Sequence, residues 1–425
     1  MECVDASRSP IADEQLRAAS LIAFYLPMHT ATRLAAPLID RAHEVNPSAR
    51  LCAYGLYAPL NADWLRERGV IDVLGPESER SLVDLCRSLN PEPTAQRPEP
   101  KAQSLPRLQF IQPDRTGLPA LKEYASLRMP DGTRRIMGGT DATRGCKHLC
   151  RHCPIVPVYN GQFRVVPVDV VLEDIRSQVA AGAQHVSFGD PDFLNGPAHA
   201  RRIVERMSRE FPGLSYDVTI KIEHLLQHSA VIPLLRDTGC LFITSAVEAI
   251  DDRVLEHLRK GHTRSDFVEV AGLCRQAGVT LVPTFVPFTP WTSLSGYVEL
   301  LNLLEDLEIV EHVAPIQLAI RLLVTSGSPL LDLPDIREVV APFDPASLTW
   351  PWRHHDPRVD ALQTDVMRLV MASTASARTG VFGAISALAH EHTGLPALAR
   401  TVTSGAPVPY VSEPWYCCAE PMETL

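Results

Sequence analysis

Short apolar runs alternate with amphipathic stretches along most of the chain. Residues 20–25 are apolar and unbroken, as in a buried strand. Residues 31–45 place Leu34, Ala35, Leu38, Ile39 and Ala42 at helical spacing. A second apolar run at 49–54 ends at Gly55, a helical stretch at 60–68 ends at Gly69, and a third run covers 70–74. Gly75-Pro76-Glu77 then turns the chain into a helix over 78–89. Strand and helix in alternation predict a small doubly wound α/β domain over residues 1–90. Its ligand edge should lie at the carboxyl ends of the strands, at 27–30, 55–58 and 75–77.

Five prolines, Pro91, Pro93, Pro98, Pro100 and Pro106, then interrupt both helix and sheet pairing, so 91–130 is expected to be a linker and connector. The rhythm resumes over 131–331. Strands are predicted at 135–137, 184–188, 216–220, 241–247, 279–285 and 316–323, with helices at 168–181, 198–209, 225–236, 251–259, 266–276 and 294–307. Pro233 is expected to kink the third of these helices. Six βα units joined by right-handed crossovers can curl into a partial (β/α)6 barrel of the TIM type. Chemistry in such a barrel sits at the carboxyl ends of the strands. The rhythm is lost over 332–425, a C-terminal extension with a helix predicted at 359–372.

At 425 residues, with 45% hydrophobic and 21% charged, the chain has ample material for a large core and two or three domains. The net charge of −10 and the absence of a long basic run argue against a nucleic-acid partner. Residues 1–10 lack the layout of a signal peptide, and the apolar run at 18–27 is too short for a membrane span, so a cytoplasmic protein without a membrane partner is expected. Ten cysteines, three of them clustered, do not form a disulfide pattern. Cys3, Cys52, Cys86, Cys240 and Cys274 are scattered and are expected to be free thiols.

The clustered three are Cys146, Cys150 and Cys153, spaced Cys-x3-Cys-x2-Cys. Three thiolates on one loop can hold three corners of a cubane iron–sulfur cluster and leave one iron open. A zinc site with His148 or His152 as fourth ligand is the alternative. The stretch resembles the signature of the radical S-adenosylmethionine (SAM) enzymes. That resemblance implies a [4Fe–4S] cluster, SAM bound at the open iron, and an electron donor such as flavodoxin or ferredoxin. It also implies roles at the strand ends. Gly189, Asp190, Pro191 and Asp192 stand where the family has the Gly-Gly-Glu motif that binds the SAM amino group; the second glycine and the glutamate are replaced. His152 stands where the family keeps an aromatic residue near the adenine. Lys221 and Glu248 are candidates for the SAM carboxylate and ribose, with surface ion pairs as the plain alternative. Arg321, in an apolar stretch, must be paired in the core or face a ligand.

The N-terminal domain resembles the cobalamin-binding-like domain that precedes many radical SAM domains. Cobalamin is therefore a candidate third cofactor, and a domain that only packs is the alternative. The Asp-x-His-x-x-Gly loop of that fold is not matched by Pro27-Met28-His29-Thr30-Ala31.

The tail, Pro414-Trp415-Tyr416-Cys417-Cys418-Ala419-Glu420-Pro421, resembles the radical SAM group named for its CCAEP (or CUAEP) ending. That group is similar to the radical SAM enzymes of arsinothricin biosynthesis. The likeness implies transfer of the 3-amino-3-carboxypropyl group of SAM to trivalent arsenic, with Cys417 and Cys418 as soft ligands or nucleophiles and a small molecule or arsenite as substrate. The alternatives are a cobalamin-dependent radical SAM methyltransferase and a non-catalytic iron–sulfur or zinc protein. Trp350-Pro351-Trp352-Arg353-His354-His355-Asp356 is expected to be a capped loop, because adjacent histidines point apart.

Overall fold

The structure is a computed structural model that describes residues 2–89, 108–373, 377–396 and 406–412. Residues 90–107, which hold the linker's five prolines, and the Cys417-Cys418 pair lie outside the described residues.

The three N-terminal apolar runs become parallel strands β1 (Leu21–Tyr25), β2 (Arg50–Tyr54) and β3 (Asp72–Val73), ordered β1-β2-β3. The helix His29–Val45 turns Ala35, Ile39 and Ala42 inward, the same spacing seen in the sequence. They pack with Leu26, Leu51 and Leu65 into a core of their own. Each fully buried leucine or isoleucine there contributes about 1.5–3 kcal/mol. Leu348, from far along the chain, completes this core.

The second sheet has seven strands: β4 (Ser126–Arg128), β5 (Arg134–Thr140), β8 (His185–Phe188), β9 (Ser215–Thr219), β10 (Cys240–Glu248), β11 (Thr280–Phe285) and β12 (Tyr410–Val411). A separate hairpin between them in sequence pairs β6 (Thr143–Gly145) with β7 (Phe163–Val165). The large sheet is ordered β11-β10-β9-β8-β5-β4-β12. From β5 to β11 the pairing is parallel and sequential, while β4 and β12 extend the β5 side antiparallel. Parallel strands covered on both faces need near-continuous apolar runs, which is why β10 buries residues throughout its length. The chain is thus an α/β protein whose larger sheet curls as a partial barrel.

Three expectations are corrected. The sixth strand, at 316–323, is not formed. Pro315 opens a 3-10 turn, Pro315–Leu318, and only a single bridge between Phe288 and Arg321 continues the parallel edge. The helix expected at 225–236 is two helices, Ile222–Gln227 and Val231–Asp237. Pro233 lies in the first turn of the second, where a missing N–H costs little, so the break falls before it rather than at it. The first barrel strand is longer than 135–137 and runs the whole of Arg134–Thr140.

The C-terminal helices Pro357–Ala372 and Arg378–Thr393 pack on each other, and the second packs on the barrel helix Leu294–Asp306. Val366, Phe382 and Ile385 belong to the barrel's own core. Between barrel and helices, residues 344–349 run back over the N-terminal domain. Trp64 Nε1 donates to the Pro345 carbonyl at 3.1 Å, and the His29 Nε2–H donates to that of Ser347 at 2.8 Å.

Candidate active site at the strand ends

The cysteine loop leaves the β6–β7 hairpin and is held by side chains from the next strand. Asp190, just after β8, accepts from the Ala142 and Thr143 amides at 2.8 and 2.6 Å and from the Thr143 hydroxyl. Burial pushes its carboxyl up, to about 7, against the lowering by these donors. Asn195 accepts from the Lys147 amide and donates to the Gly145 carbonyl. Gly145 has φ +79°, and a Cβ there would meet the Gln162 carbonyl oxygen at 2.6 Å and the Tyr159 ring closer still. Only glycine fits that turn. Gly189 is similarly pressed: a Cβ would lie 2.5 Å from Asp141 Oδ1. Beyond the loop, the Arg151 amide donates to the Leu258 carbonyl and its guanidinium to that of His257.

Cys146 and Cys150 are buried and Cys153 is partly exposed. Burial pushes the Cys146 thiol up to about 11. His148, Asp192 and His224 bring three ligand side chains together, with donor atoms all within 4.8 Å of one another. Three cysteines on one loop, all free thiols, suit three corners of a cubane and leave one iron open, so the donor set fits a [4Fe–4S] cluster.

The candidates on the following strands gather on the same side. His152 Nε2–H donates to Glu248 Oε1 at 3.0 Å, and Lys260 Nζ lies 3.4 Å from the same oxygen. All three are buried. Burial alone would raise the Glu248 carboxyl, but the Lys260 ammonium and the His152 bond outweigh it and hold it at about 2. Glu248 ends β10 with φ +69°, in the left-handed region that a glutamate rarely adopts. Lys221 caps the helix Ile222–Gln227 and sets its ammonium 3.3 Å from Glu223. Asp192 is fully buried; its Oδ1 accepts from the Leu194 amide, and its Oδ2 faces His148 and His224.

Arg321 takes the core-paired option. Its guanidinium bonds Asp360 at 2.6 Å and the Trp352 carbonyl at 2.5 Å and stacks 3.5 Å over the Trp352 ring. Pro191 lies in the same turn as Asp190 and Asp192.

Two residues of this group were not singled out from sequence. Lys260 and His262 sit in Arg259-Lys260-Gly261-His262, after the helix Asp252–His257. Both ring nitrogens of His262 are buried without a hydrogen-bond partner, and burial pushes its imidazole down to about 4. The available signal was Gly261, which an added Cβ would place 2.7 Å from Glu223.

Residues 141–304 match the sequence profile of the Radical SAM superfamily. The chain is 26% identical over 160 residues to the hopanoid C-3 methylase of Methylococcus capsulatus, covering 38% of this chain and 30% of that one. It is 29% identical over 126 residues to the bacteriochlorophyllide d C-12(1)-methyltransferase of Chlorobaculum tepidum, covering 29% and 27%. The matched region is thus under a third of the length of these relatives. Among solved structures, the cobalamin-dependent S-adenosylmethionine radical enzyme OxsB with aqua-cobalamin bound is similar in fold, with TM-score 0.64 and 13% identity over 90% of this chain and 66% of that one. The radical S-adenosylmethionine methyltransferase TsrM from Kitasatospora setae, with cobalamin and [4Fe-4S] cluster bound, is similar with TM-score 0.56 and 16% identity, over 70% and 62%. The cysteine loop and the parallel strands β8 to β11 all fall within residues 141–304, the segment that matches the Radical SAM superfamily.

Proposed function

We propose that the chain transfers an alkyl fragment of SAM to a small-molecule acceptor, a methyl group in the reading its relatives support best. The observation that carries the proposal is the buried set His152, Glu248 and Lys260 beside the cysteine loop. Cys146, Cys150 and Cys153 would hold the cluster, which would supply the electron that breaks a C–S bond of SAM. The chain's own residues hold and orient SAM. The Lys221 ammonium suits the carboxylate, and the backbone of 189–192 suits the amino group. Glu248, kept ionised, would accept from ribose hydroxyls, and His152 would meet the adenine. Charge-assisted bonds of this kind contribute about 1.5–3 kcal/mol each. Burial of the set excludes water from the reacting centre.

Methyl transfer is supported by the names of the two relatives and of TsrM, and the likeness to OxsB supports cobalamin as a partner cofactor. One observation of this chain bears on the fit. At the carboxyl end of the N-terminal sheet Glu77 is 3% exposed, its Oε2 has no hydrogen-bond partner, and burial raises its carboxyl against the Tyr159 bond. A buried carboxyl with an unpartnered oxygen there suits the amide rim of a corrin, with Ser78 beside it. His29 is covered by Ser347 and is not placed as a cobalt ligand. Cobalamin held there would supply a carrier for the methyl group.

The second reading is aminocarboxypropyl transfer to trivalent arsenic. It rests on the adjacent thiols Cys417 and Cys418 in the sequence, which lie outside the described residues.

One anaerobic experiment separates the two. The reconstituted protein is given SAM, a reductant and hydroxocobalamin, with and without arsenite, and the nucleoside products are identified. S-Adenosylhomocysteine together with 5′-deoxyadenosine supports methyl transfer. Methylthioadenosine formed only with arsenite overturns it in favour of the second reading. No cleavage of SAM overturns both.

A further inference from the structure

Beside the cysteine loop, three side chains from three successive strand-end loops converge. His148 comes from the cysteine loop, Asp192 from the turn after β8, and His224 from the helix after β9. Asp192 Oδ2 lies 3.2 Å from His148 Nε2 and 2.7 Å from His224 Nδ1. These are hydrogen-bond distances, yet all three atoms are buried without a hydrogen-bond partner, because neither ring nitrogen is aligned on the oxygen. An ordinary Asp–His pair would rotate one ring to make the bond, because buried polar atoms left unsatisfied are costly. All three lie within 4.8 Å of one another, and cis ligands on an ion bonded at about 2.0–2.2 Å sit roughly 3 Å apart.

We propose that His148, Asp192 and His224 form a second metal site, distinct from the cysteine ligands, for one divalent transition-metal ion of the zinc or iron(II) class. Two imidazoles and one carboxylate suit those ions, whereas calcium and magnesium prefer all-oxygen sets. Glu223 Oε2 lies 3.6 Å from His148 Nδ1 and accepts from Lys221, while Gln227 donates to Oε1, so the carboxylate is braced as one behind a ligating histidine is. Asp192 and His224 side chains are 0% and 1% exposed and His148 is 12% exposed, so the coordination position left by three protein ligands opens on the His148 side. The ion ties the segment between Cys146 and Cys150 to the second and third strand ends.

The test uses the full chain with its cluster reconstituted, washed with a chelator, and titrated anaerobically with cobalt(II). Wild type should take up one cobalt per chain with d–d absorption of a nitrogen–oxygen site, displaced by zinc. Asp192→Asn and His224→Gln should weaken uptake by at least about tenfold at unchanged acid-labile sulfide. Should either fail to fold by circular dichroism, His148→Ala, at the more open ligand, should show the same loss. No uptake by wild type, or equal uptake by the folded variants, overturns the proposal.

Discussion

Glu248 closes β10 in a left-handed conformation, with its carboxylate between His152 and Lys260 and away from solvent. A backbone held there costs about 1–3 kcal/mol and persists only where its surroundings impose it. Glu248→Gln keeps the shape and removes the charge that Lys260 faces. Breaking a buried pair in this way costs about 3–5 kcal/mol. The urea midpoint should fall accordingly and the KM for SAM should rise; a variant with both unchanged would remove Glu248 from the site. Gly145 is constrained by space as well as by φ. Gly145→Ala should cost roughly 2 kcal/mol or more and lower the acid-labile sulfide taken up on reconstitution, since the loop entry must shift. Full cluster content at wild-type stability would show that the turn tolerates a Cβ.

At the level of elements, the segment 344–349 fastens the barrel's C-terminal side to the N-terminal domain through His29 and Trp64. Burial pushes the His29 imidazole down to about 4, against the lift of the Ser347 carbonyl. Unfolded, the ring titrates near 6.5, so between those values the unfolded chain binds more protons than the folded one. Stability should therefore be complete above about pH 6.5 and fall by roughly 3 kcal/mol as pH drops towards 4. Comparing urea midpoints at pH 7 and pH 5 for wild type and His29→Asn checks this; an unchanged pH dependence in the variant would assign the loss to other groups. The same scale shows what the sequence made visible. The parallel strands were legible because each is a continuous apolar run, and the cysteine loop because its spacing is local. The hairpin β6–β7, β4 and β12 were not, since two- and three-residue strands have no period to detect. Residues 316–323 are apolar enough for a strand, but Pro315 fixes a 3-10 turn at their start. Lys260 and His262 escaped notice because the helix Asp252–His257 separates them from the strand end to which they return. The convergence of His148 with Asp192 and His224 depends on three loops that lie far apart in sequence.

At the scale of the molecule, the N-terminal domain touches the hairpin that carries the cysteine loop through polar contacts. Arg144 pairs with Glu79, and the Tyr159 hydroxyl donates to Glu77 at 3.0 Å. If cobalamin uses that junction, hydroxocobalamin should co-elute with the protein on gel filtration, and Glu77→Ala should weaken retention several-fold. No retention by wild type would confine the N-terminal domain to packing. The thiols of the tail are tested separately: Cys417→Ala with Cys418→Ala should keep the cluster's visible absorption, whereas Cys150→Ala should lose it together with SAM cleavage. Loss of the cluster in the double variant would give the tail a ligand role instead of a transfer role.

The sheet edge beyond β5 is sealed by β12, whose Tyr410 and Val411 pair with Arg128 and Leu127. Partners so distant in sequence make the last step of assembly slow, because the chain between them must be ordered before the contact forms. During synthesis β4 stays an open edge until residue 411 has emerged, long after the cysteine loop and all five parallel strands are made. The thiols thus spend that interval beside an unfinished sheet, whose open edge exposes the nascent protein to edge-to-edge aggregation.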